Sequence, residues 1–206
     1  MSVTKNTEAV IRRFAERVIK AARLNLGATR TITYNDGKKK RRRQVSSGKL
    51  KDSLDYLLET KQNRNTKGQF QSGSNFNLSF LMEDYGKFID EGVSGTKYKV
   101  PNGSRFGFDG KQPPTGSIRT WMEQKKVKLR DLKTNSFKSL QGLDAKQKEK
   151  EYDKAAFLIS RSIKQKGIPK SEFFQAPFRM EFAKLPEEVL KAVSMDVDEF
   201  LKFTKR

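Results

Sequence analysis

Six consecutive cations, Lys38 to Arg43, set the strongest limit on how this chain can fold, because such a run cannot enter a hydrophobic core. The run follows Asn35-Asp36-Gly37, whose Asn/Asp-Gly chemistry suits the positive backbone angles of a tight hairpin. Ile32 and Tyr34 alternate with threonines ahead of that turn, so the pattern predicts a strand leading in and a returning strand over Lys38–Val45. The returning strand must then be an exposed ribbon or a loop. It contributes to a formal net charge of +20, and the excess is local: residues 1–50 hold 14 basic and 3 acidic side chains, residues 101–150 hold 12 and 5, and residues 51–100 balance at 7 and 7. A localised excess suits a face turned toward a polyanion, since neutralising phosphates releases counterions without reading bases. A solvated charged surface accounts for the same residues.

At 206 residues the chain supports one well-buried core. It is read as a single domain over 1–206, with extended insertions near 31–45, 101–116 and 124–150. A hydrophobic fraction of 34% is lean, so some surface must be extended or buried only in an assembly. Fifteen phenylalanines argue for a fold built on aromatic packing. The chain has no cysteine and no histidine, which removes disulfides, thiol nucleophiles, imidazole bases and the usual zinc ligands together. No catalytic residue, metal site or cofactor is expected. The N-terminus is charged and lacks an apolar leader, and the longest apolar run is Ala155 to Ile159, so the expectation is a soluble chain with no sign of secretion and no membrane partner.

Apolar residues at Val10, Phe14, Val18 and Ala21, flanked by Ile11, Ala15, Ile19 and Ala22, predict a helix that Gly27 would close in a left-handed cap. Ser46-Ser47-Gly48 precedes Leu50, Leu54, Leu57 and Leu58, read as a second, shorter helix. Asn63 to Ser74 reads as a mobile loop, and Phe76, Leu78 and Phe80 as a half-buried strand. Leu81, Tyr85, Phe88 and Ile89 return to helical spacing before Gly92, and Tyr98 and Val100 suggest a short strand. Pro101 to Gly116 is rich in glycine and proline and must be a long loop. Phe106 and Phe108 within it suggest a mobile arm that docks on a neighbour. Ser117 offers a cap for a helix carrying Ile118, Trp121 and Met122, and the Lys-rich stretch 125–150 reads as an exposed linker into a helix that Gly167 ends. Pro186 opens a last helix with Val189, Val193, Val197, Phe200 and Leu201. Trp121, Phe173, Phe174 and Phe178 are expected as core or subunit-interface anchors.

Asp90-Glu91 is the only tempting carboxylate pair, and adjacent carboxylates at a helix end more often bond backbone or a neighbouring arginine than share a catalytic proton. Asp196, Asp198 and Glu199 lack the spaced donors and glycine of a calcium loop, so a solvated helix face is the expectation there. Gly103, Gly107 and Gly110 neither follow a strand nor open a helix, which rejects a nucleotide fingerprint.

The order of elements carries a resemblance. Ser-Gly-x-Leu-x-x-Ser at Ser47–Ser53 is followed by Tyr-Gly-x-Phe-Ile-Asp-Glu-Gly-x-x-Gly-Thr at Tyr85–Thr96. The Pro-rich loop, Ile118-x-x-Trp121, the Ala155–Gly167 helix and Phe-Phe-x-x-Pro-Phe at Phe173–Phe178 come after it. Over roughly residues 5–200 this resembles the head-to-tail joining proteins of tailed bacteriophages, of the neck and tail-completion type. The stretches near 31–45 and 124–150 depart from the short members as insertions. The resemblance implies an α+β fold with helices packed on a small antiparallel sheet, no catalysis, and a homo-oligomeric ring between portal and tail. Its partners would be further copies of itself, the portal or adaptor and tail proteins, and duplex DNA in the lumen facing Lys38, Lys39, Lys40, Arg41, Arg42 and Arg43. Phe106, Phe108, Trp121, Phe173, Phe174 and Phe178 would serve interfaces. The implied location is the virion, after assembly in the host cytoplasm. The rival from another class is a sequence-nonspecific nucleic-acid-binding protein using the same cations.

Overall fold

The N-terminal stripe forms helix α1 (Lys5–Gly27), which buries Thr7, Val10, Phe14, Ala15, Val18, Ile19, Ala22 and Leu26 along one face. Gly27 is its last helical residue and is not left-handed; Ala28 follows in extended conformation. The expected glycine cap is therefore not used, because the chain leaves the helix straight into a strand. The computed structural model describes residues 4–43, 48–64, 70–110, 112–131, 134 and 136–204. Among these it shows an α+β fold of seven helices and three two-stranded sheets.

Strands β1 (Thr29–Thr33) and β2 (Lys39–Arg43) pair as the expected basic hairpin. The second helix is cut to one turn, α2 (Lys49–Asp52), and the chain then runs as strand β3 (Asp55–Arg64) against β4 (Phe70–Leu81). This corrects the helix read through Leu58 and the loop read over Asn63–Ser74. Leu54, Tyr56 and Leu58 also stand at period two, and pairing Tyr56 with Phe80 and Leu58 with Leu78 gives that period a partner strand. Residues 65–69, the Ser46-Ser47 cap and the end of the basic strand at 44–45 lie outside the described residues. Helix α3 (Gly86–Glu91) and strand β5 (Val93–Ser94) follow; the strand expected at Tyr98–Val100 is irregular chain. Helix α4 (Thr115–Gln124) starts two residues before Ser117, which lies inside its first turn. Helix α5 (Ala145–Lys166), strand β6 (Gly167–Ile168), helix α6 (Gln175–Phe182) and helix α7 (Leu185–Thr204) complete the chain.

Chain length alone suggests one domain; the structure divides into two compact units. One takes Met1–Thr31, Arg41–Asp90 and Glu172–Arg206, the other Ile32–Lys40 and Glu91–Ser171. Each buries its own cluster. In the first, Ile19, Ala22, Leu26, Leu50, Leu54 and Phe173 are buried together, with Tyr56, Phe80, Met82, Ile89 and Phe174 against them. Rings extend that core outward: Phe14 meets Phe80, Phe178 and Phe182 edge-on at 5.8–6.4 Å, and Phe178 stacks on Phe182 at 5.5 Å. In the second unit Met122, Leu129 and Ala156 are buried with Ile118, Val127, Leu140, Tyr152, Ala155 and Ile159 around them. The Lys-rich stretch is thus more than a linker, since Val127, Leu129 and Leu140 tie it to α4 and α5. Arg119 reaches Glu123, Glu149 and Asp153 at 2.6–3.3 Å, and these partners, Glu123 first, raise its pKa further. Asp144 caps α5 with a capping box, accepting from Gln147 N–H at 2.7 Å while Gln147 Oε1 accepts from Asp144 N–H.

Helix α1 is capped from a distance. Thr4, its N-cap residue, makes no side-chain cap bond; instead Asp196 of α7 accepts from Asn6 N–H, Thr7 N–H and Thr7 Oγ1 at 2.7–2.9 Å. Burial pushes the Asp196 carboxyl up, but the donors from Thr7 and Asn6 outweigh it and hold the pKa below its usual value. A carboxylate with a depressed folded-state pKa stabilises above its unfolded pKa, and that contribution is lost as pH falls through the folded value. Acid titration should therefore remove stability below about pH 4. Asp196→Asn should cost about 1–3 kcal/mol at neutral pH and flatten that acid limb in urea melts. Phe173→Ala empties a fully buried site and should lower unfolding free energy by about 3–5 kcal/mol in the same assay.

Candidate polyanion-facing and assembly surfaces

The basic hairpin is held at its turn. Gly37 has φ +79°, Tyr34 N–H donates to the Lys38 carbonyl at 2.8 Å, and Asn35 Nδ2 donates to the carbonyls of Val93 and Lys166 at 3.1 and 2.9 Å. Asp36 pairs with Lys166 at 3.4 Å. Burial raises the Asp36 pKa, but the Lys38 N–H and the Lys166 ammonium lower it more. The turn sequence was legible; its anchoring was not, because the partners lie 58 and 131 positions away. Lys38, Lys39, Lys40 and Arg41 are exposed, and the side chains of Arg42 and Arg43 lie outside the described residues. Lys40 sits 5.9 Å from the Tyr34 ring centroid, while Lys39 and Arg41 have no ion pair among the described residues. A pleated strand points successive side chains to opposite faces, so the Lys39–Arg41 segment is cationic on both. Such a ribbon attracts phosphate through charge alone.

Every charged or glycine position in Asp90–Gly95 is used by the architecture. Asp90 is buried and accepts from Phe174 N–H at 2.8 Å and from Gln175 N–H at 3.3 Å, capping α6, whose own N-cap residue Phe174 has no capping side chain. Glu91 pairs with Arg105 at 2.5 Å. Gly92 has φ +74° beside the backbone of Ile168 and Lys170, and a Cβ at Gly95 would overlap the Gln165 carbonyl. The carboxylate pair thus follows the backbone-and-arginine reading. Asp196 caps α1, and Glu199 accepts from Asn6 Nδ2 at 3.3 Å, so neither is a free solvated carboxylate. Among the described residues no group of three or more acidic side chains is placed to hold a metal ion.

The aromatic candidates separate. Phe173 is fully buried and belongs to the core, which excludes an interface role in the folded chain; Phe174 and Phe178 are half-buried and stack at 6.0 Å in the ring cluster. Trp121 is 43% exposed on α4 and is not a core residue, leaving it on the surface. Phe106 and Phe108 are half-buried on a loop stitched to β5: Ser94 N–H donates to the Phe106 carbonyl, Phe108 N–H to the Ser94 carbonyl, and Ser104 Oγ to the Gly92 carbonyl. This corrects the free arm with exposed rings, because the glycines let the loop backbone pair with β5. Sequence reading missed the outer side of α7, where Leu190, Val193, Val197, Phe200 and Leu201 are all exposed. Its signal was present, as more apolar positions than one buried stripe can use.

Among the described residues no helix is long and apolar enough to cross a membrane. Gly95→Ala should destabilise the chain by about 1–3 kcal/mol through overlap with backbone. Gly116→Ala, in α4 with open space around it, should instead stabilise by about 0.5–1 kcal/mol. Thermal melts of the two variants check this contrast. Comparison of the chain with protein-family models, with curated proteins and with solved structures finds no match in any of the three.

Proposed function

We propose that the chain is a structural subunit of a tailed-phage particle, not an enzyme, forming a homo-oligomeric ring at the head–tail junction that stabilises the portal–tail connection around the DNA channel. The observation that carries this reading is the pairing of two unpartnered surfaces with different demands. Lys39, Lys40 and Arg41 form an exposed cationic ribbon on an anchored hairpin, suited to a polyanion. Leu190, Val193, Val197, Phe200 and Leu201 form an exposed apolar stripe, suited to protein. The order of motifs adds support, and the Asp90–Gly95 segment works as architecture, as an assembly subunit requires. The partners in this reading are further copies of the chain, the portal or adaptor, tail proteins and duplex DNA. Its location is the virion, reached from the host cytoplasm.

A second reading, a sequence-nonspecific nucleic-acid-binding protein, is favoured by the same cationic ribbon. Particle assembly separates them. Without the chain, the junction reading expects DNA-filled heads and tails that fail to join, and normal particles would refute it. Replacing Lys38–Arg43 with serine should leave joined particles that bind or retain DNA poorly, whereas use of these cations against an acidic neighbouring subunit would abolish joining. Under the second reading the chain is absent from particles and binds any duplex, with affinity falling steeply as salt rises.

A further inference from the structure

Helix α7 carries two apolar stripes, and only one is covered. The inner stripe, with Val189, Ala192 and the capping carboxylate of Asp196, lies on α1. The outer one, Leu190, Val193, Val197 and Phe200, advances by three, four and three residues, the spacing of a coiled-coil seam, with Leu201 beside it. These five side chains are 42–68% exposed. Together they present on the order of several hundred Å² of apolar surface, which soluble monomers seldom leave open. Doubled across a symmetric contact and widened by a polar rim, that approaches the area of roughly 1,000 Å² that a specific interface needs.

We propose that a second copy of this chain covers the outer stripe, α7 against α7, antiparallel about a two-fold axis crossing near Ser194. Charge selects both occupant and direction. The chain carries +20 overall, so two copies repel over most of their surface, yet α7 holds Glu187, Glu188, Asp196, Asp198 and Glu199 against only Lys191 and Lys202. In the antiparallel register that sets Leu190 against Phe200 and Val193 against Val197 of the second copy, Lys191 faces Asp198 and Glu187 faces Lys202. A parallel pair would place Glu187 on Glu187 and Lys191 on Lys191. Asp198 and Lys202 make no ion pair among the described residues, and the Glu187–Lys191 pair at 2.8 Å stands in solvent with both partners more than 70% exposed, so all four charges can be shared across the axis. A contact of this kind uses the same patch on both copies and closes at two. It rests on α7 alone and not on the position proposed in a particle.

The test is the mass of the full chain in solution by sedimentation, with cross-linking to fix direction. The native chain has no cysteine, so single-cysteine variants report cleanly. The expected result is a concentration-dependent dimer. Val193→Glu with Val197→Glu should weaken it by at least about a hundredfold while the melting temperature holds. Lys191→Glu should weaken it too, and adding Asp198→Lys should restore it. A mixture of Glu187→Cys and Lys202→Cys chains should cross-link to each other, and Glu187→Cys alone should not. A monomer at every concentration, an oligomer that survives Val193→Glu with Val197→Glu, or efficient links from Glu187→Cys alone would each overturn the proposal.

Discussion

Edge-on packing of phenylalanine rings around Phe14 joins parts of the chain that nothing local would bring together. One ring on α1 meets Phe80 of the β3–β4 ribbon and Phe178 and Phe182 of α6. Each such pair adds about 0.5–1.5 kcal/mol beyond the area it buries, because ring edges and faces carry opposite partial charge. The ribbon has only two strands, and two strands alone are marginal in water. It persists because its inner face, through Tyr56 and Phe80, is seated on the cluster of Ile19, Leu26, Leu50 and Phe173. Remove the rings and the ribbon loses the surface that selects its register.

Carboxylates do the second task. Asp90 and Asp196 are the only buried acids among the described residues, and each satisfies the N-terminal N–H groups of a helix from another part of the chain. Such placement suits the positive end of a helix dipole and leaves few buried donors without a partner. It also explains how a chain this basic tolerates buried acids.

How much of this was legible depends on where each partner lies. Helices α1, α5 and α7 could be read because their apolar periodicity is contained within the segment. The stretch Leu50–Leu58 could not, since helical and strand spacings coexist there and Leu78 and Phe80, some 20 residues on, decide between them. Caps were readable where the partner is three residues away and invisible at 84, though Asp144-x-x-Gln147 was within reach and went unread. The cations were correctly placed on an exposed strand, because a charge run excludes burial whatever its partners. The loop carrying Phe106 and Phe108 misled for the opposite reason: Gly and Pro content forbids helix and strand, yet says nothing about irregular backbone pairing with Ser94.

The remote cap on α1 also has a consequence in time. Thr7 and Asp196 are 189 positions apart. At roughly 5–20 residues per second, the ribosome delivers α7 on the order of 10–40 s after α1. Throughout that interval the apolar stripe of α1 lacks α6 and α7, whereas Glu91–Ser171 can close its own cluster as one uninterrupted length of chain. The nascent protein thus passes through a stage in which one unit is finished and the other is a helix waiting for its lid, and chaperones or proteases meet it in that form.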